Sequence, residues 1–460
     1  MHHSTLTSAL SIFPGDIVSL VGAGGKTSTA LGLLDELARA VFTTTTKILE
    51  PIPRSGECLI LAQTPDAARE ALSDPPCPKP FLAHRRLQEA DPAFAARAPY
   101  PVRPNKLAGL PPEWIDALIT ELPALIFLVE ADGARHRLLK APAAHEPVLP
   151  ASTTLLIPMA DLAVLGKVLC DKHVHRAELA ARLLGVPLGT PVTPEMLACL
   201  LAHPGGGLKS APPAARLVPL LTWWRDEPLT DAAREAAGRL AVQPGIERVL
   251  VANPIAAGPL LHATRPAPVA AIVLAAGASK RMGQLKQLLP WGRDAQPMLR
   301  HIVQTALGAP VDEVIVVLGR AAEQIAPALD GLPVRVVVNT AWANGLSASV
   351  RAGLDALDPA IEAALFLPCD QPRLTPRILA ACVSRFRRSR APIVAPEVEG
   401  KRRGAPALFA RALFDELRAV EGDRGGRDVI ARHIDQAVTI ELSDPSLLFD
   451  VDTPDDYTTF

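Results

Sequence analysis

Two stretches of this 460-residue chain open in the same way, and together they restrict its fold more than any other feature. In DIVSLVGAGGKTSTALGLLDELARA, residues 16–40, and in VAAIVLAAGASKRM, residues 269–282, an apolar run of strand length ends in a glycine turn. The first continues into a run of helical spacing, the second into a small loop made basic by Lys280, Arg281 and Lys286. Strands that open through glycines at their carboxyl ends belong to α/β domains, whose mainly parallel sheets bind ligands at that edge. Two such openings predict two domains, as does a length beyond what one hydrophobic core covers. HATRPAP, residues 262–268, reads as a proline-containing connector without apolar period, which sets one domain over 1–262 and the other over 268–460.

Composition excludes several classes. Lysine plus arginine (47) nearly cancel aspartate plus glutamate (48), which argues against a general affinity for nucleic acid or an anionic membrane. No run approaches the ~18–20 uninterrupted apolar residues that a membrane helix needs, and the first residues, MHHSTLTSALSIF, do not read as a secretory signal. A soluble, cytoplasmic protein is expected. The six cysteines form no CxxC pair, so reduced thiols are expected as well.

In the C-terminal half, AIVLAAG ends at Gly277, where small side chains let backbone N–H groups approach a phosphate, and Arg281 and Lys286 can neutralise its charge. ALFLPCDQP brings Asp370 to a strand end, where a carboxylate suits Mg2+ bridging phosphate oxygens. NGLSASV places Gly345 and Ser347 at the start of a helix, an end that favours anions. LFDVDTPDDY offers Asp450 or Asp452 to complete a metal shell, with Asp455 and Asp456 in the first turn of a proline-opened helix. Each feature alone has a plainer reading as a tight turn, a cap or a solvated charge.

In order, LAAGASKRMGQLKQLLPW, NGLSASV, PCDQP, GAPALF, GDRGGR and DVDTPDDY resemble the molybdenum cofactor cytidylyltransferases of the MobA-like nucleotidyltransferase superfamily. The resemblance covers residues 268–460 and implies a Rossmann-like nucleotidyltransferase domain. It implies attack by the terminal phosphate of molybdopterin-bound molybdenum on the α-phosphate of CTP, with release of pyrophosphate. The loop from Ala275 to Gly283, with Ala276, Gly277 and Ser279, would wrap the triphosphate; Arg281 and Lys286 would be its charge partners. Asp370 would hold Mg2+, with Asp452 or Asp450 as a second ligand. Members of that family using CTP tend to read AAG at this loop and those using GTP AGG, so the resemblance implies cytidine for the AAG at 275–277. Guanylyl or sugar-phosphate transfer and a non-catalytic cofactor chaperone are the alternatives.

In the N-terminal half, GAGGKTS at 22–28 has the context of a phosphate-binding loop, with Gly22, Gly24 and Gly25 for the turn, Lys26 for phosphate and Thr27 as a Mg2+ partner. Leu20 stands where the GxxxxGK[ST] pattern needs glycine, so the loop is P-loop-like and closer to the GTNGKT type of Mur ligases. IFLVEAD delivers Glu130 and Asp132 to a strand end, where a nucleotide-bound metal or an activated water needs a carboxylate. His145 with His173 or His175 lacks tight ligand spacing and reads as structural or solvated.

GAGGKTS, TTTTKI, VEADGAR, KAPAAHEPVLP, HVHRAE and HPGGGLKSAP resemble the selenium-dependent hydroxylase accessory family, over residues 14 to 260. That resemblance implies a role in maturing molybdenum hydroxylases, with ATP or another nucleotide at the N-terminal loop and a hydroxylase apo-enzyme as client. Joined to the C-terminal resemblance, it gives a bifunctional maturation protein. A Mur-like ATP-dependent ligase is the alternative for this half.

Overall fold

The computed structural model describes residues 5–98, 100–225, 227–253, 262–264, 267–277, 279, 281–402, 404–442 and 444–458. It separates into two units, Met1–Pro266 and Ala267–Phe460.

The N-terminal unit is built on a ten-stranded sheet. Its main strands are β1 (Ile17–Gly22), β2 (Ala40–Thr44), β3 (Glu57–Leu61), β4 (Lys79–Ala83), β5 (Ile126–Glu130), β6 (Leu155–Asp161), β7 (Leu220–Thr222), β8 (Val249–Ala252) and β9 (His262–Thr264). They run in the order β9-β8-β7-β6-β1-β5-β2-β4-β3, with Arg216–Leu217 also pairing β6. All pair in parallel except β9, which lies antiparallel to β8. The connector expected at 262–268 therefore begins as an edge strand. Central strand β1 is buried along its whole length, with Ile17 and Val21 in one core and Val18 and Leu20 in the other. That alternation is what a parallel strand covered on both faces requires.

The expectation of reduced thiols fails at one place. Cys58 in β3 and Cys77 just before β4 form a disulfide, their Cα atoms 6.0 Å apart. The parallel pairing of β3 with β4 sets Cys58 opposite Pro80 and so brings its sulfur within reach of Cys77. Cys170, Cys199, Cys369 and Cys382 are free thiols.

The C-terminal unit has an eight-stranded sheet: β10 (Val269–Ala275), β11 (Glu313–Leu318), β12 (Arg335–Val338), β13 (Ala363–Pro368), β14 (Ile393–Val398), β15 (Lys401–Arg402), β16 (Ala407–Ala410) and β17 (Ala437–Glu441). The order is β12-β11-β10-β13-β16-β14-β15, with β17 beside β14. Strands β10 to β13 pair in parallel, while β16 runs antiparallel between β13 and β14. Val269, Ala271 and Val273 face one core, Ile272 the other. The carboxyl ends of β10 and β13 consequently lie side by side, with Leu274 paired to Pro368, which places the loop after Ala275 next to Asp370. Among the described residues no helix is long and apolar enough to cross a membrane.

Candidate functional site

The strand end at β10 is closed by a residue that the sequence does not single out. Gln287 is fully buried, and its amide donates to the carbonyls of Ala275 (3.0 Å) and Gly277 (2.9 Å). Its oxygen accepts from the Ser279 hydroxyl at 3.2 Å, and Ser279 Oγ accepts from the Lys286 backbone N–H at 3.2 Å. One buried amide thus pins both ends of the small-residue turn. Lys280 lies outside the described residues.

Lys286 Nζ contacts Asp370 Oδ2 at 2.5 Å and Asp452 Oδ1 at 3.2 Å. Arg281 reaches the other oxygen of Asp452 at 3.0 Å, with its own side chain 71% exposed. Burial disfavours the Lys286 ammonium, but the Asp370 and Asp452 carboxylates outweigh it and hold its pKa above the usual lysine value. Asp450 stands apart from this cluster. It accepts from Gln371 Nε2 at 3.0 Å, and burial pushes its carboxyl upward, with Asp370 and Asp452 adding to the shift. Asp452, rather than Asp450, is the carboxylate that joins Asp370. Asp456 turns its carboxylate back onto the N–H groups of Asp452 and Thr453, holding that segment in place.

Arg281, Lys286, Asp370 and Asp452 edge a cavity of about 750 Å3 that also takes in Ala276, Gly277, Ser279 and Gly345. Three expected contacts are absent from its wall. Ala275 is turned into the core by strand alternation, Ser347 is 3% exposed with Ser349 lining the cavity in its place, and Gly283 does not line it. At the far wall, Gly345 (φ 95°) precedes helix α1 of this unit, Leu346–Asp355, whose first N–H donates to Asp423 Oδ1 at 3.0 Å. A Cβ on Gly345 would lie 2.6 Å from that oxygen. Gly345→Ala is therefore expected to destabilise the unit by about 1–3 kcal/mol, read by urea denaturation, because both the backbone region and the contact are unfavourable.

In the N-terminal unit, the turn after β1 has left-handed glycines at Gly22 (φ 91°), Gly24 (φ 87°) and Gly25 (φ 105°). Met159 and Asp161 of β6 approach Gly22 and Gly24 so closely that a Cβ would fall 2.4 and 2.5 Å from their backbone atoms. The helix Lys26–Glu36 starts directly after Gly25. Thr27 Oγ1 donates to Glu130 Oε2 at 2.6 Å, and burial pushes the Glu130 carboxyl up while Lys26 and Thr27 act against the shift. Thr27 and Glu130 are thus oxygen donors that meet at the start of the loop helix, a set that fits a hard divalent cation completed by phosphate.

Asp132 has another task than the expected one. Its two oxygens accept from the Gly22 N–H at 3.1 Å each, Lys26 Nζ lies 3.2 Å away, and Lys140 Nζ 2.8 Å. Lys140 continues to Glu146 at 2.8 Å, to which Arg176 donates through Nη1 and Nη2. Burial pushes the Glu146 carboxyl up, yet the Arg176 and Lys140 hydrogen bonds prevail and hold its pKa at about 2. A depressed carboxylate contributes stability that is full above its unfolded pKa and is lost as pH falls through the folded one. Unfolding free energy of the wild type is expected to drop between about pH 4.5 and pH 2. Glu146→Gln should flatten that slope in acid denaturation followed by circular dichroism.

A cavity of about 800 Å3 opens over Gly24, Gly25, Lys26 and Thr27 and is walled by Glu130, Tyr100, Asp161, Trp223 and Trp224. The aromatic wall has no sequence signal, since Tyr100 and the tryptophans come from loops far from the glycine turn. The described residues contain no group of three or more His, Cys, Asp or Glu side chains placed to hold a metal, so His145, His173 and His175 form no such centre.

Comparison with known proteins follows the same division. Residues 271–437 match the MobA-like NTP transferase domain, and residues 18–178 match the YqeC protein family. The YqeC protein of Escherichia coli (strain K12) is 31% identical over 206 residues, which cover 44% of this chain and 73% of the relative. The nicotine blue oxidoreductase of Paenarthrobacter nicotinovorans is 32% identical over 193 residues, covering 40% of this chain and 92% of the relative. Among solved structures, Rv0371c from Mycobacterium tuberculosis H37Rv is 30% identical, with 42% of this chain and 97% of that chain covered and a TM-score of 0.37. The chain thus belongs to the YqeC family through its N-terminal half and carries a MobA-like NTP transferase domain in its C-terminal half.

Proposed function

We propose that the C-terminal unit transfers CMP from CTP to molybdopterin-bound molybdenum, releasing pyrophosphate and leaving the cytosine dinucleotide cofactor. The observation that carries this reading is the meeting of Lys286 with Asp370 and Asp452 beside the turn that Gln287 pins. Transfer of this kind needs positioning and charge neutralisation rather than a covalent nucleophile. A terminal phosphate oxygen of the acceptor bonds to the α-phosphorus, the bond from that phosphorus to the bridging oxygen breaks, and pyrophosphate leaves with the electron pair.

Asp370 and Asp452 already face one cation, the Lys286 ammonium, from two sides, so their oxygens fit Mg2+ with phosphate completing the shell. When bound, Mg2+ would neutralise the charge that builds on the departing phosphates. The protonated Lys286 then moves its contact from carboxylate to phosphate oxygen, and the exposed Arg281 closes over the triphosphate from outside. The small residues Ala276 and Gly277 leave their backbone N–H groups open to the same ligand, and AAG at this turn supports cytidine as the base.

For the N-terminal unit, we propose that ATP or another nucleotide binds at Gly24–Thr27, with Glu130 and Thr27 as the Mg2+ donors, in the maturation of a molybdenum hydroxylase apo-enzyme. Tethering the two units raises the effective concentration of one site near the other's product. The reading is tested by incubating the protein with Mg2+, molybdenum-loaded molybdopterin and each of CTP, GTP, ATP and UTP, then identifying products by mass spectrometry. A cytosine dinucleotide is the expected product. A guanine dinucleotide would overturn the base assignment, and cofactor binding with no product from any nucleotide would leave a chaperone.

A further inference from the structure

The nucleotide cavity of the N-terminal unit shares Lys47, Gly133 and Arg135 with a neighbouring cleft of about 710 Å3 that the proposed function leaves without a ligand. Beyond this shared wall the cleft is bounded by Glu146, His175 and Arg176. Its one carboxylate, Glu146, is already taken up by Arg176 and Lys140. Lys47 leans on the exposed Glu89. The Arg135 guanidinium, by contrast, makes no ion pair or hydrogen bond among the described residues. His175 is pushed down to about 4 by burial and by the neighbouring Arg176 and Lys140, so it stays neutral and adds no charge of its own.

The backbone around the cleft is held in an unfavourable form. Arg135 (φ 49°), His136 (φ 56°) and Arg176 (φ 59°) all occupy the left-handed region without being glycine. Such residues persist only where the surroundings fix them, and they concentrate at ligand sites. Here the fixing is visible, because Lys140 ties Gly133 O to Asp132 and Glu146 beneath the loop. A strained turn therefore presents, at the junction of two cavities, an arginine with no side-chain partner among the described residues.

We propose that the second cleft is a ligand site of the N-terminal unit: it takes a small molecule bearing a phosphate group and holds that group, through Arg135, beside the nucleotide phosphates on the Gly24–Thr27 loop. This rests on the nucleotide reading of that loop. A planar guanidinium recognises phosphate by paired hydrogen bonds, and Lys47 at the same wall adds a point charge. The class of ligand agrees with the phosphate-bearing acceptor proposed for the C-terminal unit.

The test uses the full chain in calorimetric titrations at constant ionic strength. Binding of a non-hydrolysable ATP analogue with Mg2+ is measured first, with Lys26→Ala as its control. Inorganic phosphate is then titrated into protein saturated with the analogue and with CTP, and citrate is titrated in parallel. The expected result is saturable phosphate binding that weakens at least tenfold in Arg135→Gln, with citrate binding more weakly than phosphate. Analogue binding accompanied by no saturable phosphate uptake, or by uptake that Arg135→Gln leaves unchanged, overturns the second site alone. Tighter citrate than phosphate binding overturns the phosphate class. Absence of analogue binding to the loop overturns the loop reading and this inference with it.

Discussion

Asp370→Ala is expected to lower CTP-dependent pyrophosphate release by about a thousandfold, which corresponds to about 4 kcal/mol of transition-state stabilisation. The side chain is 21% exposed at the edge of the cavity and contacts Lys286 Nζ, which keeps Asp452 as a second partner when Asp370 is removed. The fold should consequently survive, and thermal unfolding should move little while turnover collapses. Asp452→Ala is expected to be milder, because that carboxylate is shared with the exposed Arg281 and lies farther from Lys286. Steady-state rates of both variants beside their melting curves check the ordering.

The largest effect on stability is expected in the other unit. Lys140 has a fully buried side chain and joins Asp132, Glu146 and the carbonyl of Gly133. Lys140→Met leaves the buried Asp132 and the partly buried Glu146 each short of one cation, a loss that costs about 3–5 kcal/mol when a buried pair is broken from one side. Denaturant unfolding of the full chain measures it. Asp132 would retain Lys26 and the Gly22 N–H, and Glu146 would retain Arg176, so the loss should fall within that range rather than abolish folding. Pairing Lys140→Met with Glu146→Gln should recover part of the loss, because fewer uncompensated charges stay buried.

Much of the architecture is legible in the chain because its periodicity is strong. IVSLV and AIVLA are near-continuous apolar runs, as parallel strands covered on both faces require, and each leads into a glycine turn. The left-handed Gly22, Gly24 and Gly25 are likewise legible, since glycine at that spacing before a lysine has few other uses. What cannot be read is whatever depends on distant segments meeting. Gln287 resembles any polar residue of a surface turn until its amide is seen filling the space under Gly277. Cys58 and Cys77 resemble two scattered thiols until β3 and β4 pair in parallel. Asp132 is two positions from Glu130 and of the same chemistry, yet β5 ends at Glu130, so Asp132 lies past the strand and is not held to the face that Glu130 shares. There it clamps the turn through Gly22 and Lys140, while Glu130 faces Thr27. The Ser347 and Ser349 pair shows the same limit on a helix, where two residues, about 200° of rotation, decide which serine lines the cavity.

Nucleotidyl transfer at the Lys286–Asp370–Asp452 cluster is read out by pyrophosphate release. Purified protein with Mg2+, CTP and molybdenum-loaded molybdopterin is predicted to release one pyrophosphate per dinucleotide formed, with release lost in Asp370→Ala. Release that continues undiminished in that variant, or that proceeds without the molybdopterin acceptor, would rule out acceptor-dependent transfer at this cluster.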